Sequence, residues 1–241
     1  MGRSLVIILG IETSTEQVSC AIGGVEGVIS SVECGPGIPL PGRQRATPRH
    51  AEVLVPAIEF MCAQSKVGLD QVRAIAVGTG PGMFTGVRVG VATAKSLAQA
   101  LEVPMVGIES LDLVAFTRRH SARLVAVVMD ARRDEVYASL YQPVPAGVQR
   151  LWGPKLCTVN EVVAELSAAG GRVLAVGSGA VRYAVELGRK AEVEVDQTSA
   201  FPTASALVSL AHPRAVREEY VQPVDIEPIY LRPAATARKS S

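Results

Sequence analysis

The stretch LVAVVMDARRDEVYASLY (Leu124–Tyr141) decides how the chain is read. Its first part is continuously apolar, as in a strand buried on both faces. It stops at Asp130, turns through the polar ARRDE and resumes as an alternating strand from Val136. The stretch LVIILGIETSTEQVSCAIGG (Leu5–Gly24) has the same layout: an apolar strand, an acidic stop at Glu12, the polar turn ETSTEQ, and an alternating strand from Val18. In both, the second strand opens six positions after the acidic residue. Two such units, each opening one half, predict an internally duplicated α/β architecture.

Outward from these units, helices and strands alternate. GPGIPLPG (Gly35–Gly42) reads as a loop, and Thr47-Pro48 as an N-cap with proline at N1. A helix follows, with Val53, Leu54, Ala57, Ile58 and Met61 at helical spacing, ending by Gly68. A strand at Val72–Val77, a glycine bend, a helix over Gly86–Leu101 and the short strand PMVGI complete the first half. The second half carries helices at Ser110–Arg119, Thr158–Ala169, Val181–Lys190 and Thr203–Ala211, and a strand RVLAVG before the bend GSGA. The expected division is residues 1–106 for the first lobe, 107–222 for the second, and 223–241 for a terminal segment with a basic tail.

Composition limits the function. The chain has 241 residues, is 48% hydrophobic and carries a net charge of +1, which gives no long-range pull toward nucleic acid. Four cysteines (Cys20, Cys34, Cys62, Cys157) and three histidines (His50, His120, His212) lie far apart. No CxxC and no i, i+3 or i+4 ligand pair is present, so neither a disulfide framework nor a metal site is expected. No apolar run is long enough to span a membrane, and no signal-peptide pattern opens the chain. A cytoplasmic protein is the expectation.

The glycine bend GTGPGMFTGVRVG (Gly78–Gly90) resembles a phosphate cradle but matches neither known spacing. No Gly-Lys-Ser/Thr closes it, and the third glycine of a G-x-G-x-x-G comes one residue late, at Gly86. Behind it, Gly86, Gly90, Ala94 and Ala98 recur every four residues as a stripe of minimal side chains. Glycine inside a helix costs about 0.8–1 kcal/mol relative to alanine, so a closely approaching backbone is expected. Packing within the chain and packing onto a partner subunit are both open; the expectation is a partner helix.

IETST, RHAEVLVPAI, GTGPGMFTGVRVGVATAKSLA, DARRDEVYASLY and EPIYLR, in this order from Leu5 to Arg232, resemble the TsaB (YeaZ) family of tRNA threonylcarbamoyladenosine synthesis. The resemblance implies a duplicated actin-like, sugar-kinase and Hsp70-type (ASKHA) fold with two lobes. It implies a non-catalytic subunit that pairs with a TsaD-type enzyme, which carries the metal and the chemistry, together with a small TsaE-type ATPase. Transfer RNA would be met indirectly through the complex, and self-association is an option when the partner is absent. The implied interface residues are His50, Val53, Leu54, Ala57, Thr85, Gly86, Arg88, Gly90, Ala94 and Ala98. Ser110 and Val114 stand where the catalytic paralogue has its metal-binding histidines, so neither a catalytic residue nor a metal ligand is expected here. Glu12, Thr13 and Ser14 are the nucleotide-proximal candidates. Glu12 replaces an aspartate often found there, which moves the carboxylate outward by about 1.5 Å. No cofactor is expected on this chain alone, with ATP entering at the level of the complex.

The alternative is a stand-alone ATP-dependent kinase or acyltransferase of the same fold. The basic run GRQRATPRH (Gly42–His50) and Arg232, Arg238 and Lys239 read as solvated segments, lacking the aromatic partners of a nucleic-acid groove. Arg88, in the first turn of its helix, opposes the helix dipole and is expected to meet an external carboxylate or phosphate. Asp130 and Glu135 read as structural.

Overall fold

The computed structural model describes residues 6–35, 50–190, 192–198 and 200–232. Within them, two five-stranded sheets follow one plan. The first contains β1 (Ile7–Glu12), β2 (Val18–Gly24), β3 (Gly27–Cys34), β4 (Val72–Gly78) and β5 (Met105–Ile108), in the order β3-β2-β1-β4-β5. β1, β2 and β3 run antiparallel; β4 and β5 continue parallel to β1. The second contains β6 (Leu124–Asp130), β7 (Glu135–Val144), β8 (Gly147–Thr158), β9 (Val173–Val176) and β10 (Val193–Val195), and the order β8-β7-β6-β9-β10 repeats the first sheet with the same strand senses. The internal duplication expected from the paired acidic stops is present, and the two halves follow the two-lobed ASKHA plan that the resemblance implies.

The helices repeat as well. In the first half, α1 (His50–Ser65) follows β3, α2 (Phe84–Leu101) follows β4 and α3 (Ser110–Phe116) follows β5. Their counterparts are α4 (Val159–Ala169), the broken pair α5 (Ser178–Arg182) and α6 (Ala184–Leu187), and α7 (Ala204–Val216). Thr158 caps α4 through a reciprocal bond with Glu161, and Thr203 caps α7, because a β-region hydroxyl can accept from the otherwise orphaned amides of a first turn. α1 ends sooner than expected, at Lys66 in the left-handed region, and the proposed Val181–Lys190 helix is interrupted at Tyr183. Thr47, Pro48 and most of the Gly35–Gly42 loop lie outside the described residues.

The third helices are exchanged between lobes. α1 and α2 cover one face of the first sheet, packing on Leu9, Ile11, Cys20, Ile75 and Val77. The other face, with Ile8, Ala21, Ala74, Ala76 and Val106, is closed by Ala204, Leu207, Val208 and Ala211 of α7. Conversely, Leu111, Val114 and Ala115 of α3 pack on Val125, Val127 and Tyr137 of the second sheet. The boundaries 1–106 and 107–222 therefore need correction: α7 covers the first sheet although it comes from the second half of the sequence. The terminal segment is not separate either, since Ile226 is buried in the first-lobe core.

Burial controls thiol chemistry. Cys20 is fully buried, and desolvation pushes its thiol up to about 12, where a thiol is un-ionised and inert. All four cysteines are free. A thiol-exchange reagent at pH 8 should leave Cys20 unreacted in the native chain and titrate it after denaturation; rapid native labelling of Cys20 would contradict the packing.

Candidate functional site

The turn after β1 and the start of α2 lock together. Gly86 and Gly90 face the turn: a Cβ on Gly86 would lie 2.2 Å from the Thr13 carbonyl oxygen, and one on Gly90 2.2 Å from Thr13 Oγ1. Thr13 donates its hydroxyl to the Gly86 carbonyl at 2.8 Å, and the Met83 amide donates to the Ser14 carbonyl at 2.7 Å. His50 closes the arrangement, its Nε2 lying 2.7 Å from the Thr15 carbonyl. Because a carbonyl can only accept, Nε2 carries the proton.

The expectation that the small-residue stripe meets a partner is thereby corrected. Gly86, Gly90, Ala94 and Ala98 are buried against this chain's own turn and sheet, as are His50, Leu54 and Ala57. Val53 is half-buried, and of the ten expected interface residues Thr85 and Arg88 are exposed. The surfaces left outward on the two neighbouring helices are different ones: Glu52, Val55, Pro56 and Glu59 on α1, and Thr85, Arg88, Ala92 and Ser96 on α2. Val55 is 48% exposed and Phe60 58% exposed on α1.

Arg88 has an internal partner rather than an external anion. Its guanidinium carbon lies 3.8 Å from the Phe84 ring centroid, and its Nε donates to the Tyr230 hydroxyl at 2.8 Å. Tyr230 belongs to a terminal strap that joins the lobes. The Ile229 amide donates to the Thr79 carbonyl in the first lobe at 2.8 Å, Leu231 packs on the second-lobe core, and Arg232 pairs with Glu135 at 2.7 Å. Arg232 is therefore a structural cation, while Arg238 and Lys239 and the basic run before His50 lie outside the described residues.

The three nucleotide-proximal candidates part ways. Glu12 does not reach outward: it is 1% exposed and packs against Gly78, where any Cβ would meet its Oε2. Ser110 donates its hydroxyl to Glu12 Oε2 at 3.0 Å, and the Ser14 amide donates to Oε1. Desolvation raises the Glu12 pKa above its ordinary 4.5 despite these bonds. Thr13 is consumed by the turn, and Ser14 lines a cavity of about 250 Å³ between the lobes, facing Asp130, Arg132, Tyr137, Ser178 and Arg182.

A raised native value means that the folded chain keeps a proton the unfolded chain has lost once the pH exceeds 4.5. Stability from this group is therefore complete below 4.5 and falls as pH rises through the native value. Glu12→Gln should remove that slope. In urea unfolding, its stability relative to the parent should increase between pH 4.5 and pH 8; a constant difference at both pH values would contradict the assignment.

Comparison with known proteins places this geometry. A family model described as TsaD, tRNA N6-adenosine threonylcarbamoyltransferase, matches residues 43–213. The Haemophilus influenzae tRNA threonylcarbamoyladenosine biosynthesis protein TsaB is 30% identical over 96% of this chain and 96% of its own length. The chain belongs to the TsaB family. The Escherichia coli TsaB protein is 29% identical over 93% of this chain and 94% of its own length. The structure of YeaZ from Pseudomonas aeruginosa superposes with a TM-score of 0.79 at 28% identity, covering 94% of this chain and 100% of that one.

Against that family, Ser110 and Val114 are informative. Ser110 is committed to Glu12 and to the Gly80 amide, and Val114 is fully buried in the second-lobe core. Among the described residues, no group of three His, Cys, Asp or Glu side chains could hold a metal ion. A magnesium nucleotide beside the nucleotide-proximal candidates Glu12, Thr13 and Ser14 does not fit the residues present. Glu12 is buried, Asp130 is held by both oxygens on Arg182, and Arg132 crosses the cleft to Glu16 at 2.8 Å. A hard divalent cation needs free carboxylate oxygens, and the cleft carboxylates are already paired with guanidinium groups.

No helix among the described residues is long and apolar enough to cross a membrane.

Proposed function

We propose that this chain is the non-catalytic subunit that pairs with a TsaD-type threonylcarbamoyltransferase in forming threonylcarbamoyladenosine beside the tRNA anticodon. The near-full-length similarity to TsaB proteins carries this reading. The pairing of the cleft carboxylates with Arg132 and Arg182 and the side chains at Ser110 and Val114 support a subunit without chemistry of its own, and they disfavour a stand-alone kinase or acyltransferase. The partner docks on the outer faces of α1 and α2. Those faces run side by side and present Val55, Pro56, Thr85, Arg88 and Ala92, so a helix pair from the partner could complete a four-helix contact. A TsaE-type ATPase joins the assembly in the cytoplasm, any ATP is held at the level of the complex, and tRNA is met through the partner. Without the partner, the same faces support self-association.

The test is reconstitution. Threonylcarbamoyl transfer to tRNA should require the TsaD-type subunit and be stimulated by this chain, while the chain alone should turn over neither ATP nor tRNA. Full activity of the TsaD-type subunit and its ATPase without this chain would refute the reading.

A further inference from the structure

The turn between β6 and β7 is held in a conformation that its sequence does not favour. Arg132, Arg133 and Asp134 are consecutive and all left-handed, with φ of 63°, 56° and 59°. Residues with a Cβ visit this region singly, and a tight hairpin normally fills such positions with glycine or asparagine. Three in a row persist only where neighbouring groups hold them. The Ala131 amide donates to the Glu135 carbonyl, and the Glu135 amide to the Arg132 carbonyl. Arg182 pairs with Asp130 and Asp134, and Arg132 reaches Glu16 in the first lobe. A further hold comes from the terminal strap. Arg232 donates through Nη2 to the Ala131 carbonyl at 3.0 Å and to the Glu135 carboxylate at 2.7 Å.

Two residues earlier, the same strap touches the outer face of α2. The Tyr230 hydroxyl accepts Arg88 Nε at 2.8 Å, and its ring centroid lies 5.2 Å from that of Phe84. Phe84 and Tyr230 are 53% and 45% exposed, and Arg88 is exposed beside them. On either side of Tyr230 the chain is pinned: the Ile229 amide is bonded to Thr79, and Leu231 packs into the second-lobe core. At most about 7 Å of chain separates Tyr230 from Arg232, so the segment has no slack. A displacement of Tyr230 is taken up at Leu231 and Arg232. We propose that the strap couples the outer face of α2 to the turn at the cleft, Tyr230 responding to what covers that face and Arg232 setting how firmly the turn is held. The coupling rests on the docking face proposed above. A partner lying over Phe84, Arg88 and Tyr230 excludes water from the Arg88–Tyr230 bond, which strengthens it and fixes the strap. The two-state element is the turn, clamped and left-handed or released and relaxed. By linkage, a change that releases the turn lowers partner affinity by the factor through which the partner tightens it.

Hydrogen exchange of the full-length chain, read by mass spectrometry on the peptide containing Ala131–Glu135, tests the coupling. In the isolated chain, Arg232→Ala should speed exchange of that peptide at least about 10-fold, while α4 exchanges as in the parent. Tyr230→Phe loses only a hydroxyl whose bond lies in the first lobe, yet it should speed the same second-lobe peptide about 3-fold or more. A saturating TsaD-type partner should slow the peptide in the parent chain and leave it fast in Arg232→Ala, which should bind the partner about 5-fold or more weakly. Turn exchange at the parental rate in Tyr230→Phe would overturn the proposal, as would faster exchange throughout α4 in that variant, which marks general loosening. So would a parent complex in which the turn is not slowed, or parental partner affinity in Arg232→Ala. If the parent binds no partner at all, the docking reading falls, and Tyr230→Phe in the isolated chain decides the coupling by itself.

Discussion

Gly86→Leu should leave the isolated chain largely unfolded or lower its melting temperature by about 10 °C or more. The added side chain would start 2.2 Å from the backbone oxygen of Thr13, with the His50 ring 3.2 Å away on the same side. Neither neighbour can yield cheaply. Thr13 is fixed by its bond to the Gly86 carbonyl and His50 by its bond to Thr15. Overpacking a well-filled site costs about 1–3 kcal/mol and more where backbone must move, and each kcal/mol is worth about 2–4 °C in a domain of this size. Gly90→Leu meets Thr13 Oγ1 in the same way and should behave alike. Circular dichroism melting of the purified variants decides; a native melting curve for either would mean that α2 does not lie against the turn as described.

Ala92→Arg is the counterpart, with the effect moved from the monomer to the complex. Ala92 is exposed midway along α2, between Arg88 and Ser96 on the outward face. A surface substitution of this kind changes folding stability by no more than about 0.5 kcal/mol. On a close helix–helix contact, a long charged side chain prevents approach and leaves its charge desolvated, so affinity for the TsaD-type partner should fall at least about 100-fold, near 2.7 kcal/mol. Val55→Arg on α1 should do the same. Calorimetric titration with the partner checks both. Unchanged affinity in both variants would move the interface off these helices, whereas loss of folding would show that the faces are packed within the chain.

These two substitutions also mark how far the sequence could be read. The duplication was legible because a strand buried on both faces has an apolar run and a defined polar stop, and Glu12 and Asp130 end their strands at equivalent places. β3 and β8 were not read. β3 is an exposed edge with small polar residues, and β8 contains Gly153-Pro154, a pair that normally argues against a strand. The lobe boundaries were missed because the exchange of α3 and α7 is a tertiary arrangement: the alanine-rich Ala204–Ala211 surface would suit either sheet. The stripe in α2 was correctly seen as requiring a close backbone, but spacing does not identify whose. The nearest backbone is that of Thr13, more than seventy residues earlier in the same chain. Likewise, Arg88 looked unpaired at a helix start because its partner Tyr230 comes from a distant strap.

A partner-binding subunit whose contact surface is the outer face of α1 and α2 must form a stable complex through that face. Light scattering of the chain mixed with its TsaD-type partner at micromolar concentration tests this most directly, with the parent and Ala92→Arg measured side by side. The parent should elute as a complex with the summed mass of its subunits and the variant as separate folded components. Failure of the parent to associate, or a complex of undiminished mass with the variant, would contradict it.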